Sequence, residues 1–152
     1  MGKDERRGDY LHWEAIPTRW ADCDAYGHVN NVIYYSWFDT AVTRMLYSRD
    51  VLGPDRSAIG LCIESGCSFH APVTFPDHVD AGVRIARLGL RSARYELGLF
   101  IPSRDMPAAT GYFVHVFVDR ATRRPVPIAP DHRAALTPLL SARGTNHGVI
   151  PH

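Results

Sequence analysis

The sequence predicts an α+β domain: an antiparallel sheet wrapped around one long central helix, with a short second helix near the C-terminus. Three observations carry the prediction. From Tyr34 the apolar residues fall at Trp37, Phe38, Ala41, Val42, Met45 and Leu46. The steps alternate three and one, the 3.6-residue period of a helix with one broad buried stripe. Beyond Ile59 the chain changes to period-two runs broken by turn residues, the pattern of four or five strands. One helical stripe set among that many strands has the concave face of the sheet to bury it.

In chain order, Leu11 to Trp20 reads as the first strand, with Trp13 and Trp20 supplying bulk and Pro17 marking an edge position or a bulge. The helix follows, capped by Asn30 or Asn31, and runs to about Arg49 before Gly53-Pro54 stops it. Ile59, Leu61, Ile63, Cys67 and Phe69 share one face of the next strand, and Ala71-Pro72 with Phe75-Pro76 interrupts its pairing. Val79 to Leu90 and Ala93 to Ile101 make a hairpin joined by the short link Arg91-Ser92. Gly111 to Val118 is apolar on both faces, which marks an interior, doubly covered strand. Asp119 to Arg124 makes a turn, and Pro130 opens a short helix through about Leu140. The expected organisation is a poorly ordered stretch over residues 1–10, one domain over 11–140 and a flexible tail over 141–152.

Composition bounds the function. The chain has 152 residues, 45% hydrophobic and 22% charged, enough for one core and too few for two. A formal charge of +1 gives no overall field for nucleic acid or an acidic membrane. Cys23, Cys62 and Cys67 are odd in number and form no C-x-x-C pair, which argues against a disulfide framework or a closed zinc site. His12, His28, His70, His78 and His115 fit no ligand spacing, so no metal is expected. Apolar runs fall short of a membrane span, and the start Met1 to Arg7 lacks the apolar core of a signal peptide. The expectation is a cytoplasmic protein without membrane insertion.

Chemistry concentrates in Asp22-Cys23-Asp24-Ala25-Tyr26-Gly27-His28-Val29-Asn30-Asn31, directly before the helix. The first N–H groups of a helix lack internal partners and carry the positive end of its dipole, so an oxygen gaining negative charge is stabilised there. Asp24 stands one loop away. The competing bland role is that of turn-former, since Asp accepts backbone hydrogen bonds readily. For Asp22, a structural bond to the loop backbone is the simpler reading. In an alternating loop Cys23 points away from Asp24, as a small buried residue would.

Asp22-x-Asp24-x-x-Gly27-His28-Val29-Asn30-Asn31-x-x-Tyr34-Tyr35, the turn Phe69-x-x-Pro72-Val73, and Val116-x-Val118-Asp119 followed by Thr122-x-Arg124-Pro125-Val126-Pro127-Ile128 occur in this order over residues 12 to 138. Together they resemble the hotdog-fold acyl-CoA thioesterases of the 4-hydroxybenzoyl-CoA thioesterase type. The resemblance implies a sheet wrapped round a helix, dimers with the active site at their interface, and often tetramers. It implies that Asp24 is the nucleophile or general base, and it adds Asn31 at the helix start as oxyanion donor and His28 as a catalytic auxiliary. Tyr26, Gly27 and Tyr34 are then expected to meet substrate. Arg87, Arg91 and Arg94 at one turn and Arg120, Arg123 and Arg124 at another are expected to hold CoA phosphates, which suit arginine forks. No cofactor is expected, CoA entering as part of the substrate. Two other functions remain open: release of an acyl group from acyl carrier protein, and a non-enzymatic acyl-CoA binding module.

Overall fold

The structure, a computed structural model, describes residues 2–142; the expected tail lies outside the described residues from position 143 onward. The elements are β1 (His12–Pro17), α1 (Asn31–Ser48), β2 (Ala58–Phe69), β3 (His78–Leu88), β4 (Ser92–Phe100), β5 (Ala109–Asp119) and α2 (Pro130–Leu136). The five strands form one sheet in the order β1-β3-β4-β5-β2, antiparallel throughout. Phe38, Ala41, Val42, Met45 and Leu46 of α1 are buried to the last atom against Val83, Ile85, Leu97 and Leu99. Each large apolar side chain so buried contributes about 1.5–3 kcal/mol. Close approach of helix to sheet needs Gly111, where an added Cβ would lie 2.5 Å from Phe38 Cζ and 2.6 Å from the Gly66 carbonyl oxygen. This is the hotdog architecture, an antiparallel sheet around one long helix with a short C-terminal helix.

The structure corrects several details. Helix α1 ends at Ser48, short of Gly53-Pro54: Asp50 takes a left-handed φ of 58°, and the Val51 N–H reaches back to the Leu46 carbonyl at 2.9 Å. A local αL cap, not Gly53-Pro54, ends it. The period-two face expected along β2 is broken by a bulge between Cys62 and Glu64. Leu61 therefore pairs with Val116 on the face away from α1, whereas Cys67 pairs with Gly111 and Phe69 with Ala109 on the face beneath the helix. The β3–β4 link is residues 89–91, closed by Gly89 N–H to the Ser92 carbonyl at 2.8 Å. At the N-terminus, Tyr10 is buried over Gly82 and Gly98, and Arg84 bonds both Glu5, at 3.0 and 3.1 Å, and Glu96, at 3.0 Å. Two facing glycines make a trough whose aromatic occupant composition alone does not announce.

His115, on the helix-facing side of β5, is buried among Tyr95, Phe113 and Phe117. Burial pulls its imidazole down to about 4. The unfolded chain protonates near its ordinary value of 6.5, so the stability held by the neutral ring is intact above about pH 6.5 and is withdrawn as the pH falls toward 4. The loss is on the order of 3 kcal/mol over that window. Urea unfolding of wild type and His115→Phe at pH 7 and pH 4.5 measures it. The variant is expected to lose clearly less stability on acidification, and equal losses would refute the assignment.

Candidate active site

The candidate loop leaves the sheet at one end and returns to become α1. Pro17 of β1 lies opposite His78, and both the Thr18 N–H and the Thr18 hydroxyl donate to the Asp77 carbonyl. A 3-10 turn, Trp20–Asp22, follows. Asp22 is 1% exposed, and its carboxylate accepts from the Arg19 backbone at 2.8 Å and from the Arg19 guanidinium at 2.7 and 3.0 Å. Cys23 then bridges Val29, which closes the loop into a hairpin. Cys23 packs against the core as expected of a small residue.

Asp24 sits at the start of the turn. Its N–H donates to the His28 carbonyl at 2.8 Å, its carbonyl accepts from Gly27 at 3.1 Å, and its Oδ1 accepts from the Tyr26 N–H at 2.8 Å. The half-buried side chain has no other partner among the described residues, which leaves Oδ2 unbonded. The turn-forming role is thus real and uses one of the two oxygens. Gly27 supplies the left-handed φ of 81° that closes the turn. On the return, Val29 N–H donates to the Val73 carbonyl at 2.8 Å and Asn30 N–H to the Asp22 carbonyl at 2.9 Å. Asn30 is the N-cap, its side chain accepting from Val32 N–H at 3.2 Å. Asn31 opens the helix, and among the described residues no acceptor meets its N–H.

The other candidates are placed as follows. His28 is exposed beside Asp24, and Tyr26, at the tip, is 87% exposed. Tyr34 is buried between Trp37, tilted against it at 5.2 Å between ring centroids, and Phe69, edge-on at 5.0 Å, so its ring belongs to the core. Arg87, Arg91, Arg123 and Arg124 are exposed. The two turns carrying them are neighbours, since Phe117 N–H meets the Arg91 carbonyl at 2.8 Å and Ile128 N–H the Leu90 carbonyl at 2.9 Å. Arg94 lies over the Tyr112 ring at 4.0 Å, and Arg120 bonds the carbonyls of Arg56 and Gly53 at 2.9 Å each.

The arginine cluster is also at the wrong end for Asp24 in the same chain. Loop 18–30 leaves where β3 begins, whereas residues 89–91 and 120–124 lie where β3 ends. The eleven residues of β3 separate those ends by roughly 35 Å, at about 3.3 Å per residue. What sequence reasoning missed is, near the loop, Arg19 and the exposed pair Trp20 and Phe75 with ring centroids 5.9 Å apart, and, at the opposite end beside the arginine turn, a cavity of about 210 Å³ walled by Phe117, Val126, Pro127, Ile128 and His132. Arg19 was three residues from Asp22 in plain sight, the spacing of a 3-10 turn. Burial pushes the Cys67 thiol up to about 12, away from the thiolate form a nucleophile needs. Among the described residues no three His, Cys, Asp or Glu side chains converge as metal ligands, and no helix is long and apolar enough to cross a membrane.

Residues 18–136 match the model of the thioesterase-like superfamily. The chain belongs to that family, whose class of activity is thioesterase-type hydrolysis. A solved protein of Pseudomonas aeruginosa, PA5185, is 48% identical and superposes with a TM-score of 0.86 over 90% of this chain and 96% of that one. The gentisyl-coenzyme A thioesterase BH1999 is 26% identical, with a TM-score of 0.73 over 82% of this chain and 99% of its own. A 1,4-dihydroxy-2-naphthoyl-CoA thioesterase from Synechocystis shares the fold with a TM-score of 0.74 at 15% identity, covering 82% and 93% of the two chains. A comparison with curated proteins returns no match.

Gly27 allows backbone geometry to be tested apart from sterics, because nothing lies within 4 Å of the Cβ it lacks. Gly27→Ala is expected to cost about 1–2 kcal/mol through its left-handed φ alone. Chemical denaturation measures this, and a neutral substitution would mean that the turn does not hold that conformation.

Proposed function

We propose that this protein hydrolyses the thioester of an acyl- or aryl-CoA to the free carboxylic acid and CoA, with Asp24 as nucleophile or general base and the Asn31 amide as oxyanion donor. The observation that carries the reading is the Oδ2 of Asp24, unbonded among the described residues, in a hairpin tied to the start of α1 where the Asn31 N–H meets no acceptor among them. A thioester carbonyl placed between them would have its oxygen on the amide and its carbon open to attack. By the nucleophilic route, Oδ2 bonds to that carbon, the C–S bond breaks, and water then cleaves the mixed anhydride. By the general-base route, Asp24 takes a proton from the water that attacks. Either way one water is consumed and the thiolate leaves as CoASH after protonation, for which exposed His28 is the nearest imidazole in the hairpin. Tyr26 and Gly27 border the approach to the carbonyl, and Tyr34 shapes the acyl side from within the core.

CoA recognition in this reading requires a second copy. Strand β2 is a sheet edge with an unpaired side, and Leu61, Ile63 and Phe69 along it and Val32 on α1 are exposed. Antiparallel pairing of two β2 edges brings the far end of one chain to the Asp24 end of the other. Arg87, Arg91, Arg123 and Arg124 of the second copy then meet the phosphates, in a homodimer or a homotetramer built from it. Arg94, held over Tyr112, is a supporting residue in this scheme. The gentisyl-coenzyme A thioesterase among the similar structures makes aryl-CoA esters the first substrates to test.

Release of free thiol from a panel of aryl-CoA and alkyl-CoA esters tests the reading. Asp24→Asn is expected to lower kcat by about 10²- to 10⁴-fold with little change in KM, since the carboxylate acts in the transition state. Wild type that binds the esters without turnover would instead indicate a binding module. Arg123→Ala with Arg124→Ala is expected to raise KM for the CoA ester by about ten-fold, the scale of one charged hydrogen bond. KM for the matching N-acetylcysteamine ester, which lacks the nucleotide, should stay unchanged. An equal change for both esters would detach these arginines from phosphate recognition.

A further inference from the structure

We propose that Arg19, acting through Asp22, is a positioning residue that fixes the spacing between the Asp24 carboxylate and the first amide of α1. The inference rests on the thioesterase reading above and extends it to a residue that does not touch substrate.

A buried carboxylate is costly unless paired and hydrogen-bonded. Asp22 is 1% exposed, and Arg19 supplies every bond its carboxylate makes among the described residues. The backbone N–H of Arg19 holds Oδ2, while Nε and Nη2 hold Oδ1 at 3.0 and 2.7 Å. Asp22 is also where the two arms of the hairpin meet. Its carbonyl receives the Asn30 N–H at 2.9 Å, and Asn30 caps α1. Two residues onward in the other arm is Asp24. Rotation or displacement of Asp22 therefore changes the separation of attacking oxygen and oxyanion donor directly.

The side chain of Arg19 is 71% exposed, so it contributes little to the core. A residue needed for packing alone at position 22 would be apolar, because replacing a buried charge by a hydrophobic side chain is often neutral or stabilising. The pair instead fixes a direction: a planar guanidinium grips one oxygen through two nitrogens and leaves little rotational freedom. Substituting the Arg19 side chain removes that grip and spares the backbone bond to Oδ2. The hairpin then loosens without being lost, and misplacement on the scale of 1 Å is enough to slow a reaction about 100-fold.

The test is steady-state kinetics on the best thioester of the panel, with and without millimolar methylguanidinium, for wild type, Arg19→Ala, Arg19→Lys and Asp24→Asn. Arg19→Ala is expected to lower kcat by about 10- to 100-fold with KM within about two-fold of wild type. Because the guanidinium position faces solvent, methylguanidinium should restore kcat several-fold in Arg19→Ala and leave Asp24→Asn inactive. Arg19→Lys, which keeps the charge and loses the fork, should fall between. A wild-type kcat in Arg19→Ala, or a loss that methylguanidinium does not reverse, overturns the positioning role. If wild type turns over and Asp24→Asn does not, that result sinks this inference alone. An inactive wild type removes the thioesterase reading and this inference with it.

Discussion

The hydrogen bond from the Asn30 N–H to the Asp22 carbonyl is the tie on which the candidate site depends. It joins the residue that enters the hairpin to the residue that caps the helix, and so turns a ten-residue excursion into a fixed bracket. The Cys23–Val29 bridge and the Asp24–His28 bond continue the pairing toward the tip. The Val29 bond to Val73 fastens the bracket to the segment between β2 and β3. A flexible loop of the same composition would hold a carboxylate near a helix start for a fraction of the time. Hydrogen bonds at 2.8 to 2.9 Å on both arms hold that placement, which is what preorganisation for a charged transition state requires.

The bracket in turn depends on how α1 is seated. Gly111 lets Phe38 come down onto the sheet, and the buried stripe from Tyr34 to Leu46 leaves the helix one orientation over β3, β4 and β5. Because α1 starts at the end where β1 stops and β3 begins, the chain from Pro17 to Asn31 has one end of the sheet in which to turn. The core thus determines where the candidate site sits. On the opposite face Tyr10, Trp13 and Phe100 stack edgewise over the Gly82–Gly98 trough, which closes that side of the sheet without involving the helix.

What could be read from the sequence follows from the range of the interactions concerned. The helix was legible because its stripe is local, repeating over thirteen residues from Tyr34 to Leu46. The interior position of β5 was legible because both faces are apolar. The bulge in β2 was not, since period two runs unbroken through Ile63 and the slip becomes visible when Val116 and Gly111 are set beside it. The same holds for the end of α1, where Asp50 in a left-handed conformation does the work that Gly53 advertises. At the site, the turn-forming role of Asp24 and the cap at Asn30 follow from turn and cap chemistry. The contacts of Arg94 and Arg120 were not legible because their partners, Tyr112 and the Arg56 and Gly53 carbonyls, are distant in sequence.

The distance between the two halves of the candidate site says most about how such a chain would work. One chain holds the carboxylate and the helix amide at one end and the exposed arginine turn roughly 35 Å away at the other. In the proposed enzyme an extended CoA ester would have to meet both, and a monomer offers them on unrelated surfaces. Antiparallel pairing of two β2 edges, as proposed, would resolve the mismatch by reversing one chain against the other. Each carboxylate would then be served by the arginines of its neighbour, and the exposed apolar side chains along β2 and on α1 would be covered in the same step. In the proposed enzyme, pairing would be a condition of substrate binding, with activity lost on dilution to monomers even though each chain keeps its fold.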